Sequence, residues 1–551
     1  MKKIIYSALL LLVPFVASAQ VAKQVEVTKD YTPSVNTAQK LSIMPDMTDT
    51  VKMRPDIDYT ITPRSYETSL LTENFKPATI TYWDYTPTPL LYVRGAAGVP
   101  LASEVDAYIS AYNKDKGYAM AYVNHWGDYR NRMALDGVTK VKNHTTEMSN
   151  RLGGRAGLFV GRHMLELDIY GDKQLRYRYP TTGEKISYGE MDAKLRFGDD
   201  FTDLSRWNFN VEIGGGIFGD GLSLKDMGKL NSSAMKANVA LGKMLGGKHI
   251  FKVHASFDGL YGSDLLKSYK DNIFMAGLRY GLSRNRLEFL IGADYYYNSL
   301  KESKESPHNI FPYMRLTWKN VKPGFIPYVE VDGGLKRHDY GSLMYENPFF
   351  KVSEVAISQI ASLPNESYYA ARAGFGGNLG KGIFSYNLSA ELSLADNHFY
   401  WYNVGADYLF SSAYEHSLRI DGQMKLRPAG WFEAEVNVGV YAWENYDSHY
   451  NSRPNFKTSL DLRYLGQKIS AGVNLGYQGG IKWMSLAENG VDFMSVKTPS
   501  TFTLGVEAQW RINSRWAVYL EGRNLTGSTI YEWLCYYRNT AQGLAGVKFS
   551  F

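Results

Sequence analysis

Three stretches in the last quarter of the chain carry ionisable side chains at alternating positions. Arg419, Asp421, Lys425 and Arg427 interleave with Leu418, Ile420, Met424 and Leu426. Glu433 and Glu435 interleave with Phe432, Ala434 and Val436, and Lys457, Asp461 and Arg463 with Phe456, Leu460, Leu462 and Tyr464. Period two is the spacing of an extended strand, whose successive side chains point to opposite faces. On neighbouring strands these nine residues form a ladder of both charge signs. Such a ladder binds a charged solute, anchors another part of the chain, or braces the wall on which it stands.

Catalysis has less to work with. The histidines are scattered from His125 to His449 without an HExxH or other paired metal spacing, so neither a metal nor a cofactor is expected. His254 shares a strand face with Lys252 and Ser256. A nucleophile and a base also need an orienting group and an oxyanion site, and the spacing supplies neither, so no enzyme is expected. Cys535 is the one cysteine, which excludes a disulfide framework. The net charge of +6 is small for 551 residues, and no dense basic run carries interleaved aromatics, so nucleic acid is not an expected partner.

The elements that would hold the ladder start from an export signal. Lys2 and Lys3, an apolar run from Ile4 to Val16, and Ala17-Ser18-Ala19 form the charged, apolar and small-residue parts of a secretory signal peptide, predicting removal of residues 1–19. No later apolar stretch is long enough for a membrane helix, and the mean hydropathy is -0.31. A transmembrane β-barrel produces such a value, because lipid-facing and lumen-facing residues average out along each strand. Tyr 42, Phe 25, Trp 11 and Gly 51 fit the aromatic girdles and crowded turns of a barrel.

Alternation runs from about residue 90 to the end. In 502–512, Phe502, Leu504, Val506, Ala508, Trp510 and Ile512 oppose Thr503, Glu507, Gln509 and Arg511. No second set of apolar elements is available to cover so many single-faced strands, so lipid is the predicted cover. The expected fold is all-β: a transmembrane antiparallel barrel of about 22 strands, within 20 to 24, since single-chain bacterial barrels have an even number. A barrel that wide has a water-filled or plugged lumen. Short turns at 428–430, 465–467 and 513–514 alternate with long connections at 444–453, 483–499 and 525–539. Counting strands back from the C-terminus puts the excursion 339–365 on the short-turn side. The last segment turns Val547, Phe549 and Phe551 outward, as a C-terminal signal for the outer-membrane assembly machinery would.

The chain resembles a known family at both ends. Tyr519-Leu520-Glu521-Gly522-Arg523-Asn524-Leu525, Tyr531, Gly543, Gly546 and Val547-Lys548-Phe549-Ser550-Phe551 resemble the closing strands of TonB-dependent receptors. Further marks are Val25-Glu26-Val27-Thr28-Lys29-Asp30-Tyr31-Thr32-Pro33, Ala38-Gln39-Lys40, Tyr59-Thr60-Ile61, Phe75-Lys76-Pro77-Ala78, Tyr122-Val123-Asn124-His125 and Tyr345-Glu346-Asn347-Pro348-Phe349. They resemble the TonB-dependent-receptor-like barrels of Bacteroidetes that lack a full-length plug domain. The resemblance implies a Gram-negative outer membrane, a channel or transporter role, and TonB as a partner through a box-like Val25, Glu26, Val27 and Thr28. That stretch also reads as a β-prone piece of a tether. The alternative function is a non-conducting scaffold that docks a surface lipoprotein or a periplasmic partner. Residues 20–89 are expected to form an extended periplasmic or lumen-entering segment, because Pro33, Pro45, Pro55, Pro63, Pro77, Pro87 and Pro89 interrupt every candidate element. The barrel is expected over 90–551.

Overall fold

The computed structural model describes residues 89–551 except 134–139, 142–144, 181–182, 222–228, 285, 300–305, 319–323, 446–450, 488, 491 and 539. The predicted signal peptide, the TonB-box-like Val25 to Thr28 and nearly all of the 20–89 segment lie outside the described residues.

The alternating stretches form a closed antiparallel barrel of 22 strands, accompanied by two short helices among the described residues. Each strand pairs with its neighbours in chain order. The last strand, Gln542–Ser550, returns to the first, Leu91–Val99, with register from Tyr92↔Ser550 to Val99↔Gly543. Closure leaves no edge, which is what a sheet in lipid requires, since hydrocarbon offers no partner for a free N–H or C=O. Outward positions carry exposed apolar side chains such as Leu152, Leu167, Met191, Ile213, Val253 and Leu278. Exposed Trp207, Trp318, Trp431, Trp510 and Trp516, with Phe551, lie at one end of the wall, where an interfacial aromatic girdle belongs.

That end is also the rim of short turns. Between Leu230–Leu245 and His249–Asp264 the chain reverses through Gly246 and Gly247 at φ 57° and 64°. Two consecutive left-handed residues suit a tight hairpin turn and are open to glycine without strain. The opposite rim carries 178–184, 337–365, 446–455, 479–500 and 524–541.

The segment 337–365 therefore stands on the long-connection rim, against the expectation from counting. Strands Phe384–Val404 and Asp407–Ala429 are 21 and 23 residues long, and their register slips between Ala395 and His398. A membrane crossing takes roughly 9–11 residues. Counting crossings by alternation loses its phase at such strands, and one miscounted strand moves everything upstream to the wrong rim.

The two helices lie in that segment: α1, Tyr340–Glu346, and α2, Glu354–Ser362. Asp339 caps α1, its carboxylate accepting from the Ser342 N–H at 3.1 Å while the Ser342 hydroxyl closes the capping box. Ser353 caps α2 by accepting from the Ala356 N–H at 3.2 Å.

Candidate functional site

The predicted ladder lies on three consecutive barrel strands, Asp407–Ala429, Phe432–Asn445 and Phe456–Leu465. Its residues face away from the exposed Met424, Leu426, Phe456 and Tyr464, which places them on the inner wall. Lys425 Nζ is 2.9 Å from Glu433 and 4.0 Å from Glu435, and Arg463 reaches Glu433 at 4.0 Å. Arg419 pairs with Asp421 along one strand and lies 5.6 Å from the Tyr441 ring centroid. Asp461 accepts from the Asn474 amide at 2.7 Å. Arg427 and Lys457 share the face without an ion pair among the described residues; Arg427 sits where the register slips between Leu426 and Ala429.

Ion pairs line other parts of the wall as well. Arg372 pairs with Asp332 at 2.6 Å and also with Glu391. Across the closing seam, Arg94 lies 3.4 Å from Glu104 and 3.3 Å from Glu521, and donates to the Tyr519 hydroxyl at 2.8 Å. His254 does face inward, but it meets Asp294 at 3.0 Å beside Arg279, not a serine nucleophile. Gly277 makes room for this pair: a Cβ there would lie 2.0 Å from Asp294 Oδ1 and 2.3 Å from His254 Cε1.

Above this polar wall the mouth has the opposite character. Tyr340, Leu343 and Met344 of α1, then Phe349, Phe350 and Ile360, are fully buried. They join a single apolar cluster with Ile186, Tyr188, Phe218, Leu230 and Leu260 on one arc of strands and Phe399, Trp401, Tyr408 and Phe410 on another. Trp533 and Tyr536 of the last long connection complete it. Phe349 stacks on Tyr536 with ring centroids 3.4 Å apart, and Phe350 packs against Trp401 and Phe410 at 5.7 and 5.8 Å. Because its partners come from separated arcs of the barrel, the segment is anchored across the mouth.

Buried polar groups fix it there. Arg178 donates to the carbonyls of Phe349 and Phe350 at 3.0 and 2.6 Å and pairs with Asp407 at 2.6 Å. Arg337 lies 2.8 Å from the fully buried Asp271 and 2.9 Å from Asp258. Burial opposes its charge, yet the two carboxylates hold its pKa above the ordinary guanidinium value. Tyr340 bonds to Asp220, and burial together with that carboxylate raises its phenol far above the usual range. Cys535 lies in the turn between Ile530–Trp533 and Tyr536–Arg538, with its thiol pushed up to about 11 by burial.

The sequence marked this region only through Tyr345-Glu346-Asn347-Pro348-Phe349. Tyr345 donates to Asp172 at 2.6 Å, Glu346 accepts from the Trp401 indole at 3.1 Å, and Asn347 turns the chain by accepting from the Phe349 N–H at 3.0 Å. Arg178 and Arg337 were not singled out by sequence, because neither lies in a periodic pattern and their partners are far along the chain.

No family model matches the chain, and no curated protein does. Solved structures do match. The FrpB iron transporter from Neisseria meningitidis (F3-3 variant) superposes with a TM-score of 0.63 at 12% identity, over 85% of this chain and 82% of that one. The siderophore receptor PirA from Acinetobacter baumannii gives 0.64 at 12% identity, over 85% and 81%. The copper transporter OprC gives 0.61 at 12% identity, over 85% and 82%. The fold is that of outer-membrane receptors.

Proposed function

We propose that this chain is an outer-membrane transporter for a solute, with the segment 337–365 as a gate on its outer face. The observation that carries this reading is the pairing of a closed wall, lined within by ion pairs of both signs, with an aromatic segment buried between separated arcs of its mouth. Lumen charge is how barrels tune selectivity. The ladder from Arg419 to Arg463 contributes to the solute path, and a charged or polar solute fits it best. The short-turn rim with its tryptophan girdle faces the periplasm, where residues 20–89 extend and Val25 to Thr28 offer a strand to TonB. Removal of residues 1–19 accompanies export, and Val547, Phe549 and Phe551 serve recognition by the assembly machinery.

The test is conductance in planar bilayers. Purified mature protein is expected to pass no steady current, and a variant with residues 340–362 replaced by a short Gly-Ser linker is expected to conduct. A second reading, a scaffold that docks a lipoprotein on the cell surface, draws support from the long hairpin Phe384–Val404 and Asp407–Ala429, which outreaches its neighbours. A folded linker variant that still fails to conduct favours that scaffold.

A further inference from the structure

One polar cluster belongs to neither the mouth nor the inner wall. Ser103 is the second residue of strand Ala102–Asn113, His125 stands near the end of Gly117–Asp128, and Asn150 near the start of Glu147–Val160. These strands are neighbours, with Val105↔His125 and His125↔Asn150 in register, so the three side chains share one face. It is the outer face, which also bears the exposed Val105, Val123 and Leu152, while Glu104 points the other way to Arg94 and Arg523.

The chain of contacts is ordered. Ser103 Oγ is 2.7 Å from His125 Nε2, and His125 Nδ1 is 2.7 Å from Asn150 Oδ1. The Asn150 oxygen accepts the Nδ1 proton, which leaves Nε2 free to accept from the serine hydroxyl. Nucleophile, base and orienting group thus stand in the relation that activates a serine. The Tyr129 hydroxyl lies 3.2 Å from Ser103 Oγ, a second hydroxyl beside the nucleophile.

Position and surroundings name the substrate. The cluster lies at the long-connection end of its strands, and the exposed Val105, Val123 and Leu152 on the same face suit acyl chains. Ala97 is the direct cross-strand neighbour of Ser103. Ala97 and Val99 border a shallow apolar depression lined by Val506, Ala508, Leu520 and Ala545.

We propose that Ser103 and His125 are the catalytic residues of an acyl-ester hydrolase acting on outer-leaflet lipids, with Asn150 as a positioning residue. Ser103 Oγ attacks the ester carbonyl carbon as its proton passes to His125 Nε2. Collapse breaks the ester bond, and His125 returns the proton to the departing lipid alkoxide, leaving an acyl-Ser103. Water, deprotonated by His125, attacks this ester, and the fatty acid leaves as Ser103 regains its proton. The net reaction consumes one water and yields a fatty acid and a lysolipid. The substrate assignment rests on the outer-membrane reading above, whereas the triad stands on geometry alone.

The test uses the full mature protein in detergent, with folding verified by heat-modifiable migration, and so does not depend on transport. A fluorophosphonate probe is expected to label Ser103, as located by peptide mass. Fatty acid is expected to be released from micelles of phosphatidylethanolamine or of lipopolysaccharide, and the arm that reacts identifies the lipid. Ser103→Ala and His125→Ala should each lower release by about 10³-fold or more. Asn150→Asp should move the acid limb of the pH–rate profile upward, because a carboxylate stabilises the imidazolium; a merely structural Asn150 would leave the limb in place. Mapping the label needs no variant, so a misfolded substitution does not decide the matter. Folded protein that releases fatty acid from neither lipid overturns the proposal, as does release that survives Ser103→Ala.

Discussion

The wall and the mouth are built by opposite rules. At Lys425, Glu433 and Arg463 the wall sets partly solvated charges on adjacent strands, and contacts follow from pairing residues that are already in register. At Phe349, Phe350 and Arg178 the mouth buries rings and a guanidinium together, and the contacts follow from where a long connection lands. Arg178 and the carbonyl it holds at Phe349 are 171 residues apart. A wall of many similar local pairs tolerates the loss of any one of them. A mouth held by a few non-local contacts does not.

Breaking the mouth should therefore cost far more than breaking the wall. Phe350→Ala removes a fully buried ring that packs against Tyr340, Trp401 and Phe410. The expected loss is about 3–5 kcal/mol of local stability, read as faster proteolysis within 337–365 while the barrel keeps its heat-modifiable migration. Arg178→Ala should follow, at about 2–4 kcal/mol, since it leaves two buried carbonyls without their donor and Asp407 with one partner fewer. Limited proteolysis checks this too; a resistant Arg178→Ala would show that the aromatic packing alone holds the segment. Lys425→Met should cost only about 0–1 kcal/mol, because its side chain is 41% exposed and such pairs are weak. A thermal shift of the barrel beyond a few degrees would contradict that.

The same contrast separates what could be read from the sequence and what could not. Alternation in 417–427, 432–440, 456–464 and 502–512 placed side chains on the inner or outer face, because period two is local and survives wherever the register does not slip. The closing strand with Val547 and Phe551 outward was legible for the same reason, whereas the even strand number came from the rule for single-chain barrels and not from the alternation. The rim of 337–365 was not, because it depends on counting every strand, and the long hairpin spoils the count. The mouth was invisible because Ile186, Tyr188, Phe218 and Leu230 look like ordinary strand residues until α1 settles on them. His254 was the histidine that sequence parity singled out, yet its neighbour is a carboxylate. The serine beside a histidine is Ser103, 22 residues before His125, a spacing without meaning until the hairpin brings the two together.

The central claim, a polar lumen shut from outside by a buried segment, is tested most directly by labelling the inner wall in intact cells. With Cys535→Ser as background, a Lys425→Cys variant is exposed to a bulky membrane-impermeant maleimide. No labelling is expected while 337–365 is intact, and rapid labelling once 340–362 is replaced by a linker. Rapid labelling of Lys425→Cys with the segment in place would contradict the account.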